Sequence, residues 1–258
     1  MIALVSTAVF VAVVVVVVTR SPGWGAFKTY FLNWSIYKDS FPEILHAFWL
    51  NVKLFCVAEV LILPAALFIA VLRSLQGPVF FPIRALAIAY ADLFRGIPTI
   101  LVITILGVGM PALGLSWLPQ SEFFWAVVAL VLVYTAYVSE VYRSGIDSVH
   151  PSQAAAARSL GLSHGQALRF VVLPQAVRRV IPPLLNDFIG LQKDTALVGT
   201  LGVVEAFKQA QIDQSATFNG TPYLVAATLF VLITIPLARF TDWLIARDRK
   251  QHQAGSLA

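Results

Sequence analysis

The sequence predicts an all-α, polytopic membrane helix bundle of about six transmembrane helices, and three observations lead there. Of the 258 residues, 59 % are apolar and only 12 % are charged, where a soluble domain is nearer half apolar and a quarter charged. The mean hydropathy is +0.81. The apolar residues gather into runs approaching the roughly 20 needed to cross a hydrocarbon core. This composition excludes a disordered chain and argues against a soluble enzyme. The single cysteine, Cys56, excludes an intramolecular disulfide and sits in an apolar run as a small apolar residue would.

The first run is Ala3 to Thr19, with unbroken valine from Val13 to Val18. Valine favours strands in water, but an isolated strand in lipid leaves its backbone unsatisfied, so a helix is expected. A cleaved signal peptide is the alternative; no basic residue precedes the run and no Ala-x-Ala site follows it, so an uncleaved anchor is favoured. The second run is His46 to Leu72, the third Ala85 to Met110 and the fourth Phe123 to Tyr142. The fifth, Val180 to Leu201, is the most polar, and the sixth is Tyr223 to Ala246. Pro64, Pro98 and Pro236 lie inside spans, and Pro182 and Pro183 open the fifth; each removes a backbone donor and tends to kink a helix. Asn33-Trp34-Ser35 and Asn219-Gly220-Thr221 match a glycosylation sequon short enough to arise by chance.

Orientation follows from the basic residues of the loops. Arg73, Arg84, Arg143, Arg158, Arg169, Arg178, Arg179, Arg247, Arg249 and Lys250 fall on one side, against Arg20, Lys28, Lys38 and Lys208 on the other. The first side is expected to be cytoplasmic, with both termini inside. Arg20–Leu45, Pro111–Glu122 and Gly202–Pro222 then form the outer loops. The net charge of +5 is read as setting orientation, not as a nucleic-acid surface.

Between the fourth and fifth spans, Arg143 to Arg179 is too long and too helical to be a plain connector. Pro151 suits a helix start, and Ser152 to Leu160 carries strong helix formers. Gly161 suits a left-handed cap. Ser163 and Gln166 have capping-box spacing for a second helix reaching Pro174. The alanine run offers either a docking surface for another protein or one face of a hairpin on the inner leaflet.

This segment resembles the cytoplasmic coupling motif of ABC-importer permeases: Glu-Ala-Ala, three residues, Gly, nine residues, Ile-x-Leu-Pro. Here Ala155-Ala156-Ala157, Gly161 and Val171-Val172-Leu173-Pro174 keep the spacing. The flanks are similar to the polar amino acid permease family: Glu140 to Ile146, Val149, Gln153, Leu173 to Arg178, Ile181 to Asn186, and Leu191 to Leu197 with its Lys193-Asp194-Thr195. Phe94-Arg95-Gly96-Ile97-Pro98-Thr99 resembles the family's Phe-Arg-Gly-Thr-Pro. The resemblance spans Leu45 to Arg247. It implies a five-helix permease core plus the extra N-terminal helix, with a cytoplasmic coupling-helix loop. The domain reading is 1–44 as N-terminal helix and external loop, 45–247 as permease domain, and 248–258 as cytoplasmic tail.

The resemblance further implies a non-catalytic subunit of an ATP-driven importer of polar amino acids in a bacterial inner membrane. Its partners would be ABC ATPase subunits, which bind ATP and Mg, a second permease subunit (itself or a paralogue), and an extracytoplasmic solute-binding protein. Ser152, Gln153, Ala155, Ala156, Ala157, Gly161, Leu173 and Pro174 would form the ATPase-coupling surface. The motif's glutamate is Ala155 here, and the usual glycine before Gln153 is Ser152. Ile97 and Ala196 stand where the family has Thr and Ser.

An ionisable side chain at membrane depth costs at least about 2.5–3.5 kcal/mol unless paired or wetted, so Arg95, Glu140, Lys193 and Asp194 need a reason, as does Glu59. In one reading Arg95, Gly96, Pro98, Glu140, Asn186, Lys193, Asp194 and Thr195 line a translocation path. Arg95 would then take a solute carboxylate and Asp194 its ammonium. In the other, the charges pair to hold or gate the bundle. Lys193 and Asp194 point about 100° apart on a helix, which gives them different partners. Arg239, near the inner interface, is read as snorkelling.

Catalytic motifs are absent from the sequence. It contains no Gly-x4-Gly-Lys-Ser/Thr loop, no Gly-x-Ser-x-Gly elbow and no His-Glu-x-x-His pair, and His46, His150, His164 and His252 are scattered. No catalytic residue and no metal or other cofactor held by this chain is expected. The alternatives carried forward are the same architecture importing a quaternary amine or opine, a membrane scaffold, and a lipid enzyme.

Overall fold

The computed structural model describes residues 2–75 and 77–255, with side chains except at 2, 3, 164 and 248–255. The side chains of His164 and His252 and the end of the tail, 256–258, lie outside the described residues. All regular structure among the described residues is helical.

Helix α1 (Ile2–Thr19) leaves Val13 to Val18 exposed, as a lipid-facing helix does. The stretch expected as an outer loop, Arg20–Leu45, is mostly helical: α2 spans Trp24–Phe31 and α3 spans Trp34–Ser74. The reason is a cap. Asn33 Oδ1 accepts the N–H of Ser35 at 3.1 Å and of Ile36 at 3.3 Å, starting α3 well ahead of His46. At 41 residues, α3 is about 60 Å long, twice a hydrocarbon core. Asn219 acts likewise, its Oδ1 accepting Thr221 N–H at 2.9 Å. Both sequon asparagines are therefore spent at helix starts.

The third run is two helices, α4 (Phe81–Gly96) and α5 (Thr99–Ala112), bent by 102° at the break. Pro98 forces its predecessor out of the helical region, and Ile97 is extended, at φ −96 and ψ 129. Helix α6 (Glu122–Asp147), capped by Ser121 Oγ on Phe124 N–H at 3.3 Å, is central and packs on α3, α4 and α5. Next come α7 (Pro151–Ser159), α8 (His164–Ala167), a π turn at Leu168–Val172 and α9 (Leu173–Asp194). Pro174 sits in the first turn of α9, and Pro182 and Pro183 lie inside it instead of opening it. A 3-10 segment, Thr195–Leu201, leads to α10 (Ala206–Thr217) and α11 (Thr221–Gly255).

By length and apolar composition α3, α6 and α11 can cross a membrane, and the bent α4–α5 pair makes a fourth crossing if counted as one. Helices α1 and α9 fall outside that measure. The described part of α1 is short, and α9 carries Arg178, Arg179, Asp187, Lys193 and Asp194. One core joins α3, α5, α6 and α9 through Leu54, Ile62, Ile103, Leu130, Val133 and Leu191. A second joins α3, α10 and α11 through Ile44, Phe48, Ala210 and Val225. Helix α3 reaches both because of its length.

Candidate functional site

The ends of three helices, α3, α4 and α6, bring charges together around Glu140 on α6. Arg73, in the last turn of α3, places Nη1 2.7 Å from Glu140 Oε2. Arg95, in the last turn of α4, places Nη1 3.7 Å from the same oxygen. Arg143, one turn along α6, pairs with Glu140 and donates from Nη1 to Asp147 Oδ2 at 2.7 Å. The Arg73 side chain is only 8 % exposed, and its buried Nε and Nη1 make no aligned hydrogen bond among the described residues. Tyr137 OH donates to the Arg95 carbonyl at 3.4 Å. Arg95 also lies within electrostatic reach of Asp187 on α9, whose buried Oδ2 has no hydrogen-bond partner among the described residues. Arg95, Gly96, Pro98 and Glu140 are thus neighbours at the α4–α5 bend, and Arg95, Gly96 and Pro98 are exposed there.

The other residues expected on a path separate. Asn186 and Lys193 are exposed. Asp194 is half-buried and accepts from Tyr134 OH at 3.0 Å. Thr195 is fully buried: it receives Asn51 Nδ2 at 3.1 Å and donates to the Gln192 carbonyl at 2.7 Å. Lys193 and Asp194 do face different surroundings, as their helical angle requires. Arg239 pairs with Asp242 at 3.2 Å at an exposed site.

Asn51 and Glu205 were not singled out from the sequence. Asn51 Nδ2 donates to Glu205 Oε2 at 3.0 Å, and its Oδ1 accepts Ala206 N–H at 3.0 Å. Glu205, fully buried, caps α10 by accepting Phe207 and Lys208 N–H, each at 2.8 Å. Burial pushes its carboxyl above the ordinary value, against the pull of those donors. The available signal was a lone asparagine in an apolar run, which at membrane depth must find partners. Arg73 was read only for its sign; its partner lies on another helix and leaves no local mark.

The α7–α8 projection follows its local sequence. Pro151 occupies the first turn of α7, and His150 Nδ1 accepts Ser152 N–H at 3.2 Å. Gly161 has φ +89, where only glycine rests without strain; its N–H donates to Arg158 O at 3.0 Å. Ser163 and Gln166 exchange bonds: Ser163 N–H to Gln166 Oε1 at 2.9 Å, and Gln166 N–H to Ser163 Oγ at 3.3 Å. Ser152, Gln153, Ala155 and Ala156 are exposed, Ala157 is buried and Leu160 is 82 % exposed. Leu173 and Pro174 begin α9, which anchors on α6 where Gly145 has no room for a Cβ beside Val180. Arg179 adds a bond to the Ser148 carbonyl. Both stems of the projection are therefore fixed to the bundle.

Known proteins are similar to this chain along most of its length. Residues 62–250 match the family described as binding-protein-dependent transport system inner membrane component. The chain is 33 % identical over 223 residues to the probable glutamine ABC transporter permease protein GlnM of Bacillus subtilis, covering 86 % of this chain and 97 % of that protein. It is 33 % identical over 214 residues to the glutamate transport system permease protein GluC of Corynebacterium glutamicum, covering 79 % and 92 %. The crystal structure of an amino acid ABC transporter with histidines superimposes with TM-score 0.72 at 31 % identity, covering 80 % of this chain and 94 % of that one. The inward-facing MetNI methionine ABC transporter shares the fold, with TM-score 0.57 at 19 % identity. The chain belongs to the family of inner-membrane components of binding-protein-dependent transport systems.

Proposed function

We infer that the chain is the membrane permease subunit of an ATP-driven importer for polar amino acids, working by alternating access. The observation that carries this reading is the similarity, along most of the chain, to permeases named for glutamine and glutamate and to a solved amino acid ABC transporter. A separate ATPase pair hydrolyses ATP with Mg; a second permease subunit and an external solute-binding protein complete the assembly. The subunit sits in a bacterial inner membrane with both termini in the cytoplasm, as its loop charges favour.

The surface Ser152, Gln153, Ala155, Ala156 and Leu160 meets the ATPase, and the cap at Gly161 and the start of α9 at Leu173 and Pro174 transmit its movement. A two-state device needs different contacts in each state; fixed stems at Gly145 and Arg179 make such contacts felt in α6 and α9. Arg95 offers a guanidinium to the solute carboxylate, and Asp194, beside Tyr134, an acceptor to its ammonium. Asn186 and Lys193 add exposed polar groups along α9, and Thr195 supports that stretch from behind.

The test is co-purification from native membranes, then an ATPase assay of the complex with a panel of amino acids and the solute-binding protein. An ATPase should co-purify, and one polar amino acid should stimulate hydrolysis. A complex that hydrolyses ATP only with a quaternary amine or opine replaces the substrate class. A chain that purifies without an ATPase overturns the coupling assignment.

A further inference from the structure

Glu140 is shared by more guanidiniums than one carboxylate can pair closely, and Asp187 on α9 is the second acidic group within electrostatic reach of Arg95. Three guanidiniums, Arg73, Arg95 and Arg143, face this one carboxylate. Arg143 has a second partner in Asp147 at 2.7 Å. Arg73 has no such second partner among the described residues: its side chain is 8 % exposed, and Nε and Nη1 make no aligned hydrogen bond. Arg95 stands 3.7 Å from Glu140, beyond hydrogen-bond reach, and is 38 % exposed. A guanidinium carries five N–H donors, and leaving them unspent in a dry place is costly. What satisfies two guanidiniums at once is a planar or tetrahedral oxyanion. Among the described residues, the carboxylate oxygen within salt-bridge distance of both is Glu140 Oε2. It is held between helices α3, α4 and α6, beside the 102° bend between α4 and α5.

We propose that Arg73 and Arg95 form an oxyanion site in which Glu140 is the resident, displaceable occupant, exchanging with the carboxylate or phosphate of a ligand. Glu140 ties the ends of α3 and α4 to α6; an incoming oxyanion takes Arg95 first, because it is the looser and more exposed of the two. The tie to α4 then opens while Arg143 retains Glu140. The site is a latch that an anion releases. If the transport reading holds, the anion is the solute's carboxylate; otherwise it is the phosphate of an acidic lipid. The exchange itself depends on neither source.

The experiment uses the full chain, purified alone in nanodiscs, so that its failure is separate from failure of the transport reading. In phosphatidylcholine discs, acetate or inorganic phosphate replaces chloride at constant ionic strength. The expected result is a higher unfolding midpoint and protection of Arg95 from phenylglyoxal, read by mass spectrometry. Arg73→Gln and, as a milder variant at the exposed position, Arg95→Gln should each weaken the midpoint response about tenfold, the worth of one charge-assisted hydrogen bond. Glu140→Ala should lower the midpoint, and acetate should restore it where chloride does not. A response seen in phosphatidylcholine but already saturated in phosphatidylglycerol discs assigns the site to a lipid phosphate; a response in both assigns it to a soluble anion. The proposal is overturned if neither anion shifts the midpoint nor slows the modification of Arg95 in phosphatidylcholine discs. It is equally overturned if both arginine variants respond as the wild type does.

Discussion

The polar node around Asn51 and the charge cluster around Glu140 are both built on α3 and tie it to other helices, yet they are satisfied to different degrees. In the node, Asn51 bonds to Thr195, Glu205 and the Ala206 backbone, and the carboxylate of Glu205 is taken up by the first turn of α10. At the cluster, one carboxylate serves several guanidiniums and Arg73 keeps donors unspent. A network whose members are all paired fixes one geometry; one with capacity left over has low-cost alternatives. The node holds α3 against α10 and the 3-10 segment, while the cluster can let α4 move. Helix α3 is anchored near its middle, at Asn51, and adjustable at its C-terminal end, at Arg73.

Breaking the node should have the largest effect on stability. Asn51→Ala leaves Glu205 Oε2, Thr195 Oγ1 and Ala206 N–H short of a partner in a buried place, a loss of about 2–4 kcal/mol. Detergent titration of the unfolding midpoint measures it. A change within about 0.5 kcal/mol would show that water reaches the node and that the contrast with the cluster is false.

Gly161→Val should come next, at about 1–2 kcal/mol, because a β-branched residue is strained at φ +89. A Cβ there meets nothing within 4 Å, so the whole effect is backbone conformation. In the assembled transporter the ratio of ATP hydrolysed to solute moved should rise. A variant that is destabilised but transports with the normal ratio separates the cap from coupling.

A pH measurement sharpens the comparison by a smaller amount. The fold holds the Glu205 proton more tightly than the unfolded chain, whose ordinary value is 4.5. The stability from this group is therefore complete below that value and is lost as pH rises through the raised one. Glu205→Gln keeps the shape and removes the titration, so its stability should fall less steeply than the wild type's above pH 4.5. Parallel curves would show that the donors of Phe207, Lys208 and Asn51 cancel the effect of burial.

Local features of the fold were legible in the sequence. Pro98 announces the break, Ser163 and Gln166 announce a capping box, Gly161 announces a left-handed turn, and the apolar runs announce the bundle. Each depends on residues within a turn or two of one another. The early start of α3 is less legible, because Asn33 matches a sequon as well as the cap it forms on Ser35 and Ile36. Pro182 and Pro183 read locally as helix openers, whereas α9 runs through them from its start at Leu173 and Pro174. The site was legible only in part. Arg95 and Glu140 stood out by their depth. Asn51 with Glu205 and Arg73 with Glu140 are pairs far apart in the chain, and a polar residue's partner across such a separation is set by helix packing, which no local pattern records.

The smallest expected effect concerns Ala155, which stands where the motif this segment resembles has glutamate. Ala155 is exposed in the middle of α7, so Ala155→Glu adds a carboxylate without burying it. Arg158, three residues on, can meet it along the helix, worth about 0.2–0.5 kcal/mol, and the Ala155 carbonyl keeps its bond from Ser159 Oγ at 3.1 Å. The unfolding midpoint should hardly move. The informative readout is the amount of ATPase retained on the variant at rising salt. If the carboxylate is an anchor that this chain lacks, retention rises at low salt and the gain fades as salt screens it. If retention falls at every salt, the facing groove is shaped for the small alanine face, and steric fit at Ala155 and Ala156, more than charge, holds the two subunits together.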